Sequence, residues 1–183
     1  MARNSITAGV ALFCIKPRPS ILLVLDKGEK IPQRNGRDFS KPEVWKLPSG
    51  GFKTSDADSK VTAIRELMEE TGVCICESFL NDRLCVDHEK VSWRPGSDIH
   101  HDITYLVIMY DRPKLGTSVD PKIEKARFFP LDQVPIPGSM LSETYVPVSH
   151  VRTINELIEK ASDKLTALGV DPFSLYLPEE ARD

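Results

Sequence analysis

The residues with the most chemical potential are three glutamates crowded into one stretch, Arg65-Glu66-Leu67-Met68-Glu69-Glu70-Thr71-Gly72. On a helix, at about 100° per residue, Glu66, Glu69 and Glu70 fall within a ~100° arc. Val61, Ile64, Leu67 and Met68 share a side, so the glutamates are expected on the opposite, wet face. An amphipathic helix often carries glutamates there with no further meaning. Energetics count against that bland reading. Glu66 is like-charged with its neighbours at i+3 and i+4, each pair costing about 0.2–0.5 kcal/mol. All three also sit in the last turns before Gly72, where the negative end of the helix dipole disfavours an anion by ~0.3–1 kcal/mol. Acids gathered where two effects oppose them point to a bound cation. Oxygen-only ligands point to a hard one, Mg²⁺ first and Mn²⁺ second. Glu66, Glu69 and Glu70 are therefore the candidate metal ligands, with Glu69, Glu70 and the adjoining Arg65 as candidate catalytic residues.

The approach to this helix adds to the case. Gly50-Gly51 closes a short apolar run and lets the backbone turn sharply and come close to a ligand. A helix is predicted over about Asp58 to Thr71, with Asp58 or Ser59 as N-cap and Gly72 as the stop. Its first turn would point free N–H groups back toward the glycines, a natural place for anionic oxygens. Gly50 and Gly51 are candidate substrate-binding positions, and Arg65 can hold the loop or neutralise charge.

The segment resembles the Nudix box. The family's pattern is a glycine, a glutamate six residues on, then Arg-Glu, an aliphatic residue, any residue, Glu-Glu, any residue, Gly and an aliphatic residue. Arg65 to Val73 matches the second half without a gap. Trp45-Lys46-Leu47-Pro48-Ser49-Gly50-Gly51 is similar to the approach in many members, and Ala126 to Asp132 resembles the strand and turn that often close the fold. The first half departs. Counted from Gly51, the early glutamate falls on Ala57; counted from Gly50 it falls on Asp56, with one extra residue before Arg65. The second alignment preserves an acid, and Asp56 or Asp58 is expected to brace Arg65. The resemblance implies an α/β fold, a mixed β-sheet sandwiched between helices (α/β/α). It also implies metal-assisted attack of water on a pyrophosphate bond in a nucleoside diphosphate linked to another moiety. Dinucleoside polyphosphates, ADP-ribose or nucleotide sugars, NTPs and capped RNA all stay open as substrates. The rival reading is a non-catalytic Nudix-fold module that binds nucleotide or a protein partner. Degenerate modules usually lose box glutamates, whereas this sequence keeps the triplet Glu66, Glu69 and Glu70.

The elements that must position the box read as follows. Ser5 to Ile15 and Pro19 to Asp26 are strands joined at Lys16-Pro17-Arg18. Lys27 to Glu43 is a polar loop whose cations, Arg34 among them, are either a solvated connection or a basic rim at a phosphate site. Val73 to Cys76, Leu84 to Val86, Ile103 to Tyr110 and Ala126 to Phe129 read as further strands, with a polar loop over Asp87 to Asp102. Val151 to Leu168 has helical apolar spacing. One domain over 1–168 with an extension over 169–183 is the expected organisation, the tail docking through Phe173, Leu175, Tyr176 and Leu177.

Bulk properties narrow the partners. The 183 residues are 40% hydrophobic and 28% charged, ordinary globular composition, with net charge −3. No global positive field draws in nucleic acid, although capped RNA stays open. The longest apolar runs fall far short of the ~20 residues of a membrane helix, and no signal-like stretch opens the chain. A cytoplasmic protein with a small nucleotide substrate is expected, a homodimer being typical of the family resemblance. Trp45 and Trp93 can stack on a base, Trp45 being equally suited to the core. Glu89, Asp98, Asp102 and Glu124 are candidates for a later base or ligand, each also readable as a surface acid. His100-His101 is a strand-edge pair or a polar contact to substrate. Cys14, Cys74, Cys76 and Cys85 lie in strand-like sequence and read as buried, reduced thiols.

Overall fold

A computed structural model describes residues 4–32, 38–91, 99–136 and 144–178. The centre of the sheet is β1 (Asn4–Cys14), which runs parallel to β8 (Ile99–Met109) along its whole length. On its other edge β1 meets two partners in turn. Near its end it pairs antiparallel with β2 (Ser20–Asp26), at Phe13↔Ile21 and Cys14↔Ser20. Nearer its start it pairs with β6 (Ser49–Gly51), at Thr7↔Gly51 and Gly9↔Ser49. The far half of β2 pairs with β5 (Val44–Lys46), so β1 and β2 fork and the segment 44–51 fills the gap. Gly9 permits this: a Cβ there would collide with Pro48 and Ser49. The remaining edges are β7 (Cys85–Val91) on β8 and β9 (Ile123–Pro130) on β2.

Alternation along the strands builds two cores. Ala8, Val10, Leu12, Leu22, Tyr105 and Val107 face α1 (Ser59–Thr71), together with Ala63 and Leu67 of that helix. On the opposite face Phe13, Ile21, Leu23 and Leu106 pack against Val151, Ile154, Leu157 and Ile158 of α2 (Val148–Lys160). A sheet apolar on both faces must be covered on both, and the α/β sandwich follows. The apolar spacing continues past α2 into α3 (Ser162–Ala167), but Ala161 sits at φ −98°, ψ 4° and divides the expected single helix in two. Among the described residues, no helix is long and apolar enough to cross a membrane.

Four local expectations are corrected. The polar stretch after β2 is not all loop: β3 (Glu29–Pro32) and β4 (Asp38–Lys41) form a separate antiparallel ribbon. The expected loop over Asp87 to Asp102 is shorter, because β7 and β8 extend into it from both sides. No strand forms at 73–76. Val73 and Ile75 do alternate inward against the α1-side core, which is why the segment reads as a strand, but they enter no ladder. Cys74 and Cys76 point outward and are exposed, and only Cys14 is buried, where desolvation pushes its thiol up to about 12.

The C-terminal segment docks through a backbone clamp. The Asn155 side chain donates to Leu177 O and accepts from Leu177 N–H, both at 2.9 Å in a buried setting. Val170, Leu175 and Leu177 thereby join the α2-side core. Asn155→Leu should strand two buried backbone groups and cost about 2 kcal/mol. Limited proteolysis checks this: cleavage near 170–178 should accelerate in the variant well before the core is cut.

Candidate active site

Local capping sets the limits of α1. Asp58 accepts the Val61 N–H at 2.9 Å, and Gly72 ends the helix in the left-handed region at φ 72°. The orphan carbonyls of the last turn are met from a distant segment. Gly116 N–H donates to Thr71 O, while Val119 N–H and the Ser118 hydroxyl donate to Glu69 O. No basic residue lies in that last turn to offset the dipole.

The helix is rotated relative to the sequence expectation. Glu66 and Glu70 are buried, on the same side as Thr62, Ala63 and Leu67, whereas Met68 is 48% exposed. The acids do not line a wet face. They point at the β5–β6 turn, where the charge of Glu70 is met by groups far away in sequence and that of Glu66 by the adjoining Arg65. Glu70, 2% exposed, accepts from Lys46 Nζ at 2.7 Å through Oε1 and from the Ser49 N–H at 3.0 Å through Oε2. Burial pushes its carboxyl up to about 7, and the pull of Lys46 and the Ser49 amide offsets only part of that. Glu66 lies against Gly50 so closely that a Cβ on Gly50 would run into the carboxylate. Glu69 stands nearer the rim, bonded to Lys53 Nζ at 3.1 Å and to Arg65 Nη1 at 3.0 Å. Partial burial would raise Glu69, but these two cations outweigh it and hold the carboxyl below its usual range.

Arg65 ties the parts together. Its guanidinium donates to both oxygens of Asp56, to Gly51 O at 2.8 Å, and to Glu66 and Glu69. Asp56 is the brace expected from the one-residue insertion; it also accepts from Lys53 N–H and Thr62 Oγ1. The Arg65 bonds hold its carboxyl far below the ordinary aspartate range, and Asp56 in turn raises Arg65. Asp58, the other candidate, serves only as the helix cap.

Glu66, Glu70, Gly50 and Gly51 line a polar cleft of about 350 Å³. Its other wall carries Lys41, Lys122, Asp26 and Asp120, with Lys46 between the two walls. Lys41 is paired to Asp26 Oδ2 at 3.1 Å. Among the described residues, no three acidic, histidine or cysteine side chains converge as a preformed cage. The expected triad is therefore only partly gathered: Glu66 and Glu70 share the cleft, while Glu69 is turned toward Lys53. The donor set still fits a hard divalent ion. Its groups are oxygens only, and Mg²⁺ is usually held by one or two carboxylates completed by water and substrate phosphates, not by an all-protein cage.

Other expected contacts lie elsewhere. Trp45 is a core residue, 5% exposed, with its ring edge-on to Phe129 at 4.7 Å on the α2 side of the sheet. It is not placed to stack on a substrate held by the glutamates. Arg34, Trp93 and Asp98 lie outside the described residues. His100 is bonded to Ser5 and Thr7, and His101 to Asp87, so both are engaged within the β1–β8–β7 ladder. Glu124 is bonded to the neighbouring Lys125, both exposed, on β9. Glu89 and Asp102 line a second cleft beside the first, with Ser49 common to both. The residues missed by sequence reasoning are Lys46, Lys53 and the far-wall group Asp26, Asp120 and Lys122. Lys46 had left a trace, a lone cation inside the apolar run Val44 to Leu47.

The NUDIX domain family matches residues 7–148, most of the chain. The chain belongs to the NUDIX family. With the box arginine and the three glutamates of its second half present, it is a Nudix pyrophosphohydrolase. Solved Nudix structures share the fold at low identity. A MutT/nudix family protein from Enterococcus faecalis is 17% identical with a TM-score of 0.60, the match covering 94% of this chain and 66% of that one. The NUDIX domain of Shewanella oneidensis NrtR, solved with ADP ribose, is 18% identical with a TM-score of 0.58, covering 90% of each chain. No curated protein matches by sequence.

Two outcomes test this geometry. Asp56→Asn breaks a buried pair and should cost about 3 kcal/mol in denaturant unfolding at pH 7. The depressed carboxyl gives stability that is fully present above the unfolded value of about 4 and is lost as pH falls through its lower folded value. The gap between wild type and variant should therefore narrow steadily below pH 4. Gly50→Ala should displace Glu66 and lower turnover about 100-fold, with far-UV circular dichroism unchanged.

Proposed function

We propose that this protein hydrolyses a pyrophosphate bond in a nucleoside diphosphate linked to another moiety, using Mg²⁺ or Mn²⁺ held by Glu66 and Glu70 with Glu69 at the rim. The observation that carries this reading is the burial of two box carboxylates in one polar cleft, lined also by the glycine strand, by Lys41 and Lys122, and by Asp26 and Asp120. Both acids are paired, Glu70 with Lys46 and Glu66 with Arg65, and oxygen ligands gathered in one polar cleft are suited to capture a hard cation. A divalent ion bound there would neutralise phosphate oxygens and acidify a bound water.

The chain's own groups supply the rest. Lys41, Lys46 and Lys122 offset the negative charge of the diphosphate and orient it along the cleft. Arg65 keeps Gly51 and the helix in register, so that the acids and the glycine backbone meet the same phosphate. Glu69 and Glu70 are the two candidate proton acceptors, Glu70 buried against Lys46 and Ser49 and Glu69 at the rim beside Lys53 and Arg65.

The nucleoside is assigned to the adjoining cleft of about 310 Å³ between the sheet and the start of α2, walled by His88, Asp102, Thr104, His150 and Arg152. Ser49 lines both clefts and is the residue they share. The ADP ribose of the NrtR domain supports a ligand of this class.

A panel of ADP-ribose, nucleotide sugars, dinucleoside polyphosphates, NTPs and capped RNA, each with Mg²⁺ and Mn²⁺, tests the reading. At least one diphosphate-linked nucleoside should be cut, with product analysis locating the phosphorus attacked. Glu70→Gln and Glu69→Gln should each lower turnover by orders of magnitude without unfolding the protein. Nucleotide binding without metal-dependent turnover on the whole panel would instead favour a non-catalytic module.

A further inference from the structure

The Lys46–Glu70 pair stands apart from the other ion pairs of the site. Lys53–Glu69 is an exposed pair, worth little. Arg65 is anchored independently by Asp56 and Gly51 O, so it stays in place whatever Glu66 and Glu69 do. Lys46 and Glu70 are 14% and 2% exposed at the side chain and 2.7 Å apart. Lys46 projects from β5, where its backbone is fixed opposite Val24, across to the helix. It makes a second bond, 2.9 Å to Ser49 O, that does not involve the helix. A lysine is a point charge on a flexible four-carbon stem, able to change partners without moving its backbone.

We propose that Lys46 is an internal counter-ion that occupies Glu70 in the metal-free protein and, when Glu70 turns to a divalent ion, remains tethered at Ser49 O as a phosphate-binding cation. The inference rests on the metal reading of Glu70 given above. Removing one partner from a buried pair is strongly destabilising, because the other charge is left uncompensated. Glu70 can therefore give up Lys46 only when another cation takes its place. Released from Glu70, the Lys46 ammonium faces the same cleft as Lys41 and Lys122. Metal and phosphate uptake are then linked through one side chain. Lys46 opposes binding of the ion alone and favours binding of the ion together with a phosphate.

The test uses the full chain with Mn²⁺ alone and then with Mn²⁺ and ADP, followed by calorimetry. Lys46→Gln keeps a donor for Ser49 O but removes the charge. Relative to wild type it should bind Mn²⁺ alone about tenfold tighter, and ADP in the presence of Mn²⁺ about tenfold weaker. A variant with unchanged or weaker affinity for Mn²⁺ alone overturns the proposal, while leaving the hydrolase reading intact if wild type binds the ion. Absence of Mn²⁺ binding by wild type, with and without ADP, overturns both. A second measurement needs no folded variant. In wild type, the Lys46 Nζ resonance should shift as Mg²⁺ is titrated to saturation, and an unmoved resonance also overturns the proposal.

Discussion

The architecture of the site depends on one guanidinium. Arg65 reaches the carboxylate of the preceding loop, a backbone carbonyl of the glycine strand and two carboxylates of its own helix. Each is a charge-assisted bond, and the Asp56 end is buried. The loop's own turn, the Asp58 cap and the packing of Ala63 and Leu67 support each part separately. Among the described residues, Arg65 is the one side chain that joins the 52–58 loop, the glycine strand and the helix acids. With it, the distance between glycine backbone and box acids is set by covalent geometry and a single planar fork. The bare Cα of Gly50 completes the constraint by leaving room for the Glu66 carboxylate.

Much of this was legible in the sequence because it is local. The helix limits follow from Asp58 and Gly72, and both caps form as their residue types dictate. The choice of Asp56 over Ala57 rested on keeping an acid near Arg65, and the bond between them is seen. The two-faced sheet followed from alternation in β1 and β2, with inward residues on both sides.

What stayed hidden is long-range. The hydrophobic arc of α1 predicts Met68 facing the core and the glutamates facing water, whereas the structure exposes Met68 and buries Glu66 and Glu70. Glu70 is buried because Lys46 and the Ser49 amide, more than twenty positions earlier, satisfy both of its oxygens. No periodicity in the helix encodes partners on another strand. Trp45 illustrates the converse. Its place beside the glycine turn suggested a ligand contact, but strand alternation directs it to the opposite face of the sheet from Lys46 and the glutamates. The β3–β4 ribbon was masked by its polar composition, and Cys74 and Cys76 by an alternation that is real but unpaired.

The bonds from Gly116, Ser118 and Val119 to the last carbonyls of α1 also matter beyond capping. The same strip of chain continues directly into Asp120 and Lys122 on the far wall of the cleft. Gly72 and Gly116 approach so closely that a Cβ on Gly72 would strike the opposing backbone, so the two backbones are in van der Waals contact. One jaw of the cleft is thereby riveted to the end of the helix that forms the other. The mouth cannot widen by hinging these two jaws apart at that corner; adaptation to ligands of different girth is left to the flexible lysine stems.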